Sequence, residues 1–330
     1  MANYLARLRS PFSITKTASV TALSADMTIT INSVDVYLIS KNIDNNTLTL
    51  EVSELIRDYL NPTWDGVFPY STATNNSFVV TATIRVDFYT NNKVTRAANS
   101  QAGNPDTPVE TVTPNDTLYG FDAYSEFLEG INHQLSSGQM LQSATVMYLP
   151  DSTTAYIPIE ASNGVSYFTV ADTVTDGQVV NPVTNVPVTI RRICEPVYDL
   201  IRVVFVNKFG ALQEFYFNKK NVVSLNVTQE NYESMLISAN TYSNTDHQKY
   251  VYNKQGSERI TLNTGYVDEG QFETIKQLML SEQVWAKIGT SVYPMNVQTS
   301  SLTKKTKIND KLVNYSIEMM FAYDEINSVR

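Results

Sequence analysis

A chain of 330 residues is long enough to bury two hydrophobic cores. Its 24 Lys and Arg against 33 Asp and Glu give a net charge of −9, which argues against a general nucleic-acid binder, since such proteins carry a basic footprint. Charged residues make up only 17% of the chain, against a usual figure of about 25%, so Asn, Thr, Ser and Gln carry the polarity. With 20 Tyr, 13 Phe and many Val, Ile and Thr, the composition favours strands over helices. Residues 1–20 read as extended, because Pro11 disfavours a helix through Arg9 and Ser10. Strands follow at Met27–Ile31, Val34–Ile39 and Thr47–Val52, parted by turns at Asn32-Ser33 and Asn45-Asn46. Ser53–Leu60 reads as a short helix with Ser53 as N-cap, Leu55, Ile56 and Tyr59 on one face, and Asn61-Pro62 as the stop.

Trp64–Pro69 is a loop with an aromatic anchor, and Ser77–Tyr89 a long strand. The composition from about 91 to 118 shifts to Asn, Thr, Pro, Ala and Gly, which predicts a long surface loop. Phe121–Glu129 reads as a one- to two-turn helix ended by Gly130. Strand-like runs then recur at Ala144–Leu149, Thr154–Glu160, Val165–Val170 and Val186–Cys194, with turns at Asp151-Ser152, Asn163-Gly164 and Asp176-Gly177. Strands recurring about every 8–12 residues with such turns predict an antiparallel sandwich. Glu195-Pro196 is the expected domain boundary.

Beyond it, Tyr198–Val206 and Ala211–Phe217 flank Asn207–Gly210 as a hairpin, and Asn221–Thr228 continues the sheet. Gln229–Gly256 has strand propensity without alternation and reads as an excursion that needs outside support. Glu258–Asp324 forms a compact module. In it Asp268 and Glu269 suit the start of a helix at about 268–281, with Phe272, Ile275, Leu278 and Met279 on one face. Its last run alternates, with Val313, Tyr315, Ile317, Met319, Phe321 and Tyr323 on one side. The expected fold is mainly β: two antiparallel β-sandwich-type domains, 1–195 and 196–330, with a few short helices, the second domain carrying the single packed helix.

No constellation of catalytic residues emerges. His133 and His247 are far apart in the chain, and neither Asp246-His247 nor any other stretch completes a metal-ligand spacing. A Ser–His–acid triad needs only to meet in space, but no Ser sits in a G-x-S-x-G setting. Cys194 is the single cysteine; it forms no internal disulfide, suits a reducing cytoplasm and reads as a packed strand residue. Asp268-Glu269 and Asp324-Glu325 are chain neighbours whose side chains diverge in a strand, unlike a glycosidase pair. Phosphate-cradling glycine loops are absent, and Asp44-Asn45-Asn46 lacks the remainder of a calcium loop. The basic clusters Arg191-Arg192 and Lys304-Lys305-x-Lys307 read as solvated turns or strand ends. Trp64 and the Tyr-rich 242–252 segment read as core or interface residues, with sugar stacking as the alternative. No catalytic, cofactor-binding or metal-binding residue is expected, and no cofactor. No apolar run approaches the roughly 20 residues that cross a bilayer. The N-terminus lacks the apolar core of a secretory leader, so a soluble chain without membrane insertion is expected.

Three groups of stretches carry a resemblance. They are Met1–Leu5 with Arg9–Phe12 and Ile43–Leu60; the hairpin Val206–Phe217; and Ile260–Val267 with Leu278–Trp285, Leu302–Thr306, Tyr315–Glu318 and Ala322–Asp324. Together they span the chain and resemble the virion structural proteins of tailed bacteriophages that infect Bacteroidota, crAss-like phages among them. The resemblance implies a tail, baseplate or collar role and carries over no functional residues. It leads to the expectation of a virion protein made in the host cytoplasm, with other copies of itself in a ring and other virion proteins as partners, no nucleic acid and no enzymatic activity. A carbohydrate-binding adhesin or receptor-binding tail protein is the alternative, and a polysaccharide-degrading tail enzyme a third reading. On the assembly reading, segments 91–116 and 229–256 order mainly through contacts with other chains.

Overall fold

The computed structural model describes residues 2–193, 198–235, 241, 243–304 and 312–326. With 49% strand and 11% helix in several antiparallel sheets, the chain belongs to the mainly-β class with sandwich-type architecture, as the composition predicts. The first thirteen strands are β1 (Asn3–Arg7), β2 (Ser13–Thr17), β3 (Ser24–Ile31), β4 (Val34–Asn42), β5 (Thr47–Glu51), β6 (Val79–Tyr89), β7 (Glu110–Thr111), β8 (Asp116–Phe121), β9 (Val146–Pro150), β10 (Ala155–Ala161), β11 (Gly164–Val170), β12 (Gly177–Val180) and β13 (Pro187–Ile193). The rest are β14 (Ile201–Val206), β15 (Leu212–Phe217), β16 (Val222–Glu233), β17 (Lys249–Asp268), β18 (Val284–Ile288), β19 (Ser291–Val297) and β20 (Leu312–Phe321). The helices are α1 (Ser53–Arg57), α2 (Thr72–Ser77), α3 (Lys93–Gln101) and α4 (Gln271–Leu280).

The chain divides into two compact units, each built from three segments. The first takes Met1–Thr145, Thr154–Thr189 and Val206–Gln213; the second takes Val146–Thr153, Ile190–Phe205 and Glu214–Arg330. The expected boundary at Glu195-Pro196, and Cys194 beside it, lie outside the described residues.

In the first unit the main sheet runs β1-β8-β6-β3-β4. Its pairings are antiparallel except β1 with β8, which is parallel and departs from an all-antiparallel sheet. Ala25, Met27, Ile29 and Ile31 of β3 alternate into the core and meet Ile84, Val86 and Phe88 of β6 and Leu118 of β8. Each such large side chain contributes about 1.5–3 kcal/mol on burial. The β3–β4 hairpin closes through Asn32 and Ser33, both with positive φ, as a two-residue loop matched to strand twist requires. In the β10–β11 hairpin the loop residues are Ser162 and Asn163, one position earlier than Asn163-Gly164, and Gly164 opens β11.

Three local expectations are corrected in this unit. Ser53 does not cap α1: Val52 holds the N-cap position, and Ser53 is a buried first-turn residue whose N–H and hydroxyl both donate to Glu51. The predicted loop at about 91–118 contains α3 and β7, and the start of β8. Asn92 caps α3 by accepting the Thr95 N–H at 2.9 Å, and Arg96 donates to Asp26 of β3 at 2.8 Å while lying 3.3 Å from the Tyr89 ring centroid. No residue of α3 is buried, so no apolar period marks it. The helix predicted at Phe121–Glu129 is absent. β8 runs through Phe121, held by β1 on one side and β6 on the other, and only a 3-10 turn forms at Phe127–Glu129. Long-range pairing overrides local propensity there, and Phe127 and Leu128 are 98% and 95% exposed. α2, in a stretch for which no element is predicted, is a Thr/Asn-rich helix; Ser71 caps it through the Thr74 N–H at 3.1 Å.

The second unit is organised on a seven-stranded sheet in the order β15-β14-β18-β19-β20-β17-β16, antiparallel from β14 to β16. β20 alternates as its sequence predicts: Val313, Tyr315, Ile317, Met319 and Phe321 are buried, and Asn314 and Ser316 are exposed. Ile275 and Leu278 of α4 are fully buried in the same core, with Phe272 partly so. The helix starts later than the predicted 268. Asp268 is the last residue of β17, opposite Leu312, and its N–H donates to the Tyr148 hydroxyl at 3.1 Å; Gly270 is the N-cap and Glu273 the first-turn acid.

Candidate interaction surface

The most unusual feature of the second unit is the β16–β17 hairpin. The run Val222–Thr228 is rich in β-branched and aliphatic residues, which makes it a strand. Val223 stands opposite Ile260, Leu225 opposite Glu258 and Val227 opposite Gly256. Ile260 is buried in the core, and directly opposed residues share a face, so the core-facing row continues onto β16. There it finds no cover: all twelve residues of β16 are exposed, and Val222, Val223, Leu225 and Val227 are each more than half exposed. β16 ends the sheet order, so its outer N–H and C=O groups have no strand partner among the described residues. β15 ends the opposite side and is buried along all six residues.

The hairpin also outreaches its support. β20 pairs with β17 only from Arg259 onward, so along Lys249–Glu258 the one strand partner among the described residues is β16. A two-stranded ribbon is marginal in water by itself. This one is stiffened by Tyr232 and Tyr250, which face each other across the strands with rings stacked at 5.2 Å, and by Tyr252 at 5.7 Å from Tyr232. A hydrogen bond to Glu230, and then that carboxylate's charge, raise the pKa of the Tyr252 hydroxyl. Leu225, Val227, Gly256, Glu258, Glu325 and Ile326 enclose a groove of about 340 Å³ beside the edge. The Glu325 N–H donates to the Gly256 carbonyl at 2.9 Å, tying the chain's end to the ribbon.

A second concavity, of about 540 Å³, lies in the first unit. The β3–β4 turn contributes Asn32, the segment after α1 contributes Asn61, α2 contributes Asn75 and Asn76, and the β10–β11 turn contributes Asn163. Tyr59 and Tyr119 supply rings, and no charged residue lines it among the described residues. These asparagines were legible only as turn and loop formers; nothing in their spacing shows that they converge.

The residues weighed for chemistry are dispersed. His133 lies in the first unit with Nε2 3.7 Å from Glu129, which also pairs with Arg7 and Lys208. His247 lies in the second, its ring 6.1 Å from that of Tyr250. Among the described residues no three His, Cys, Asp or Glu side chains are grouped to hold a metal ion. Trp64 is half-buried against Phe68 and Tyr70, with its indole N–H on the Val67 carbonyl at 3.3 Å. Arg192 donates to the carbonyls of Pro150 and Thr153, so this basic pair includes a loop clasp. Lys304 lies over Phe272, while Lys305 and Lys307 fall outside the described residues. No described helix is long and apolar enough to cross a membrane. No protein-family model matches the chain, and comparison with curated proteins returns no match.

Proposed function

We propose that the chain is a structural subunit of a bacteriophage virion: a tail, baseplate or head–tail junction component, made in the host cytoplasm, that assembles into a ring with copies of itself and with other virion proteins. The sequence resemblance supports the virion setting. The observation that carries an assembly role is the open edge of β16. Proteins protect long edge strands with Lys, Pro, strong bulges or a covering segment. Val222–Glu233 contains no Lys, Arg or Pro, and its one register shift falls after Thr228, beyond the aliphatic run. Such an edge suits pairing with another chain.

Magnitudes bear on the kind of assembly. Covering four partly exposed aliphatic side chains returns at most about 1.5–3 kcal/mol each. Losing free motion on association costs about 4–15 kcal/mol. One edge contact is therefore marginal by itself and becomes stable when a closed ring repeats it or a neighbouring protein backs it. Because β15 is buried, a ring built through β16 joins it to a different surface of the next copy, a head-to-tail contact. Mass spectrometry of purified virions, with sedimentation of the isolated chain, tests the reading. Presence in virions and concentration-dependent association support it; absence from virions together with a strict monomer removes it.

A further inference from the structure

We propose that the amide-lined cleft of the first unit binds a neutral carbohydrate, a short segment of uncharged glycan. The proposal stands independently of the virion reading and uses none of the β16 surface.

The size is suitable, since 540 Å³ falls within the range of about 300–1,000 Å³ typical of small-ligand sites. The lining selects the chemistry. Each Asn side chain offers an acceptor oxygen and two donor N–H groups on one small plane. Five of them converge: Asn32, Asn61, Asn75, Asn76 and Asn163. A sugar ring presents adjacent hydroxyls that each donate and accept, so amides complement it without a net charge. A phosphate, carboxylate or ammonium ligand would be desolvated without a counter-charge, which is costly. Tyr59 and Tyr119 also line it, and an aromatic side chain is a surface on which the C–H groups of a pyranose can pack. The Tyr59 ring is itself steadied by Tyr37, edge-on at 6.1 Å.

The cleft is built on rigid parts. Asn32, Ser162 and Asn163 hold positive φ in two-residue hairpin loops, which fixes their backbones. Glu160, almost wholly buried, accepts the Asn163 N–H at 2.8 Å and the Gly138 N–H at 2.6 Å, anchoring that turn from beneath. An extended peptide also pairs with amides, and the peptide arm of the test below distinguishes it from a sugar.

The test uses the full chain on an array of neutral, acidic and amino glycans, followed by titration calorimetry with the best neutral oligosaccharide. Asn75→Ala is the direct variant. Asn76→Ala removes an exposed amide of α2 and is expected to leave folding intact, with thermal melting as the check. Each is expected to weaken neutral-glycan binding at least tenfold, while Trp64→Phe leaves it unchanged. The proposal is overturned if no neutral glycan binds at millimolar concentration, if only acidic glycans or a peptide library bind, or if binding survives both Asn variants.

Discussion

Asp26 is buried on β3 and receives the guanidinium of Arg96, itself stacked on Tyr89. Burial pushes the Asp26 carboxyl up. The hydrogen bonds from Arg96, Ser40 and Tyr89, with the Arg96 charge, outweigh that and hold it below the ordinary carboxylate value. A carboxyl depressed in the folded state adds stability that is complete above its unfolded pKa and is lost as pH falls through the folded one. Asp26→Asn is therefore expected to cost about 1–3 kcal/mol at pH 7, because it leaves a partly buried guanidinium without its carboxylate. Urea unfolding of both proteins should show that difference shrinking as pH drops below the carboxylate range; a pH-independent difference contradicts the assignment. Gly210 offers a second residue-scale test. It has a φ of +73°, and an added Cβ would lie 2.8 and 2.9 Å from the Asp122 backbone. Gly210→Ala should destabilise by roughly 3 kcal/mol or more, since left-handed strain and a backbone clash add. The turn at Gly210 was readable from Asn207–Gly210 between two apolar runs, but its close approach to Asp122 was not, because 88 residues of chain separate them.

At the scale of elements, legibility followed burial. β20 shows its period of two because one of its faces is core, and α4 shows part of its apolar stripe for the same reason. α3 shows nothing, as it is attached by its cap and by polar contacts of Lys93, Arg96 and Asn99 rather than by a buried face; Asn92→Ala should cost about 1 kcal/mol, measured by thermal melting. Segment 91–116, expected to rely on other chains for order, thus has internal anchors in its first half. β16 is the reverse case. Val222–Thr228 reads as an ordinary strand and Gln229–Glu233 as the start of an excursion, and nothing local announces that the outer edge lacks a neighbour. Leu225→Lys should alter folding stability by no more than about 0.5 kcal/mol, since the side chain is exposed, while abolishing edge pairing. A large loss of stability on urea unfolding would mean that Leu225 supports the isolated fold instead.

At the scale of the molecule, composition foretold the mainly-β class, because Tyr, Phe, Val, Ile and Thr fit pleated surfaces wherever they fall. It did not foretell units of three segments each, since segment membership is decided by pairings distant in sequence. The same holds for function: the amide cleft collects five asparagines from four separate places in the chain, each individually a plausible turn former. The central claim is that β16 is an assembly edge. Sedimentation velocity of the full chain and of Leu225→Lys, across a hundredfold range of concentration, tests it most directly. The account predicts that the wild type forms species larger than one 330-residue chain as concentration rises, and that the folded variant remains a monomer throughout. A wild type that sediments as a monomer at every concentration, or a variant that associates equally well, contradicts it.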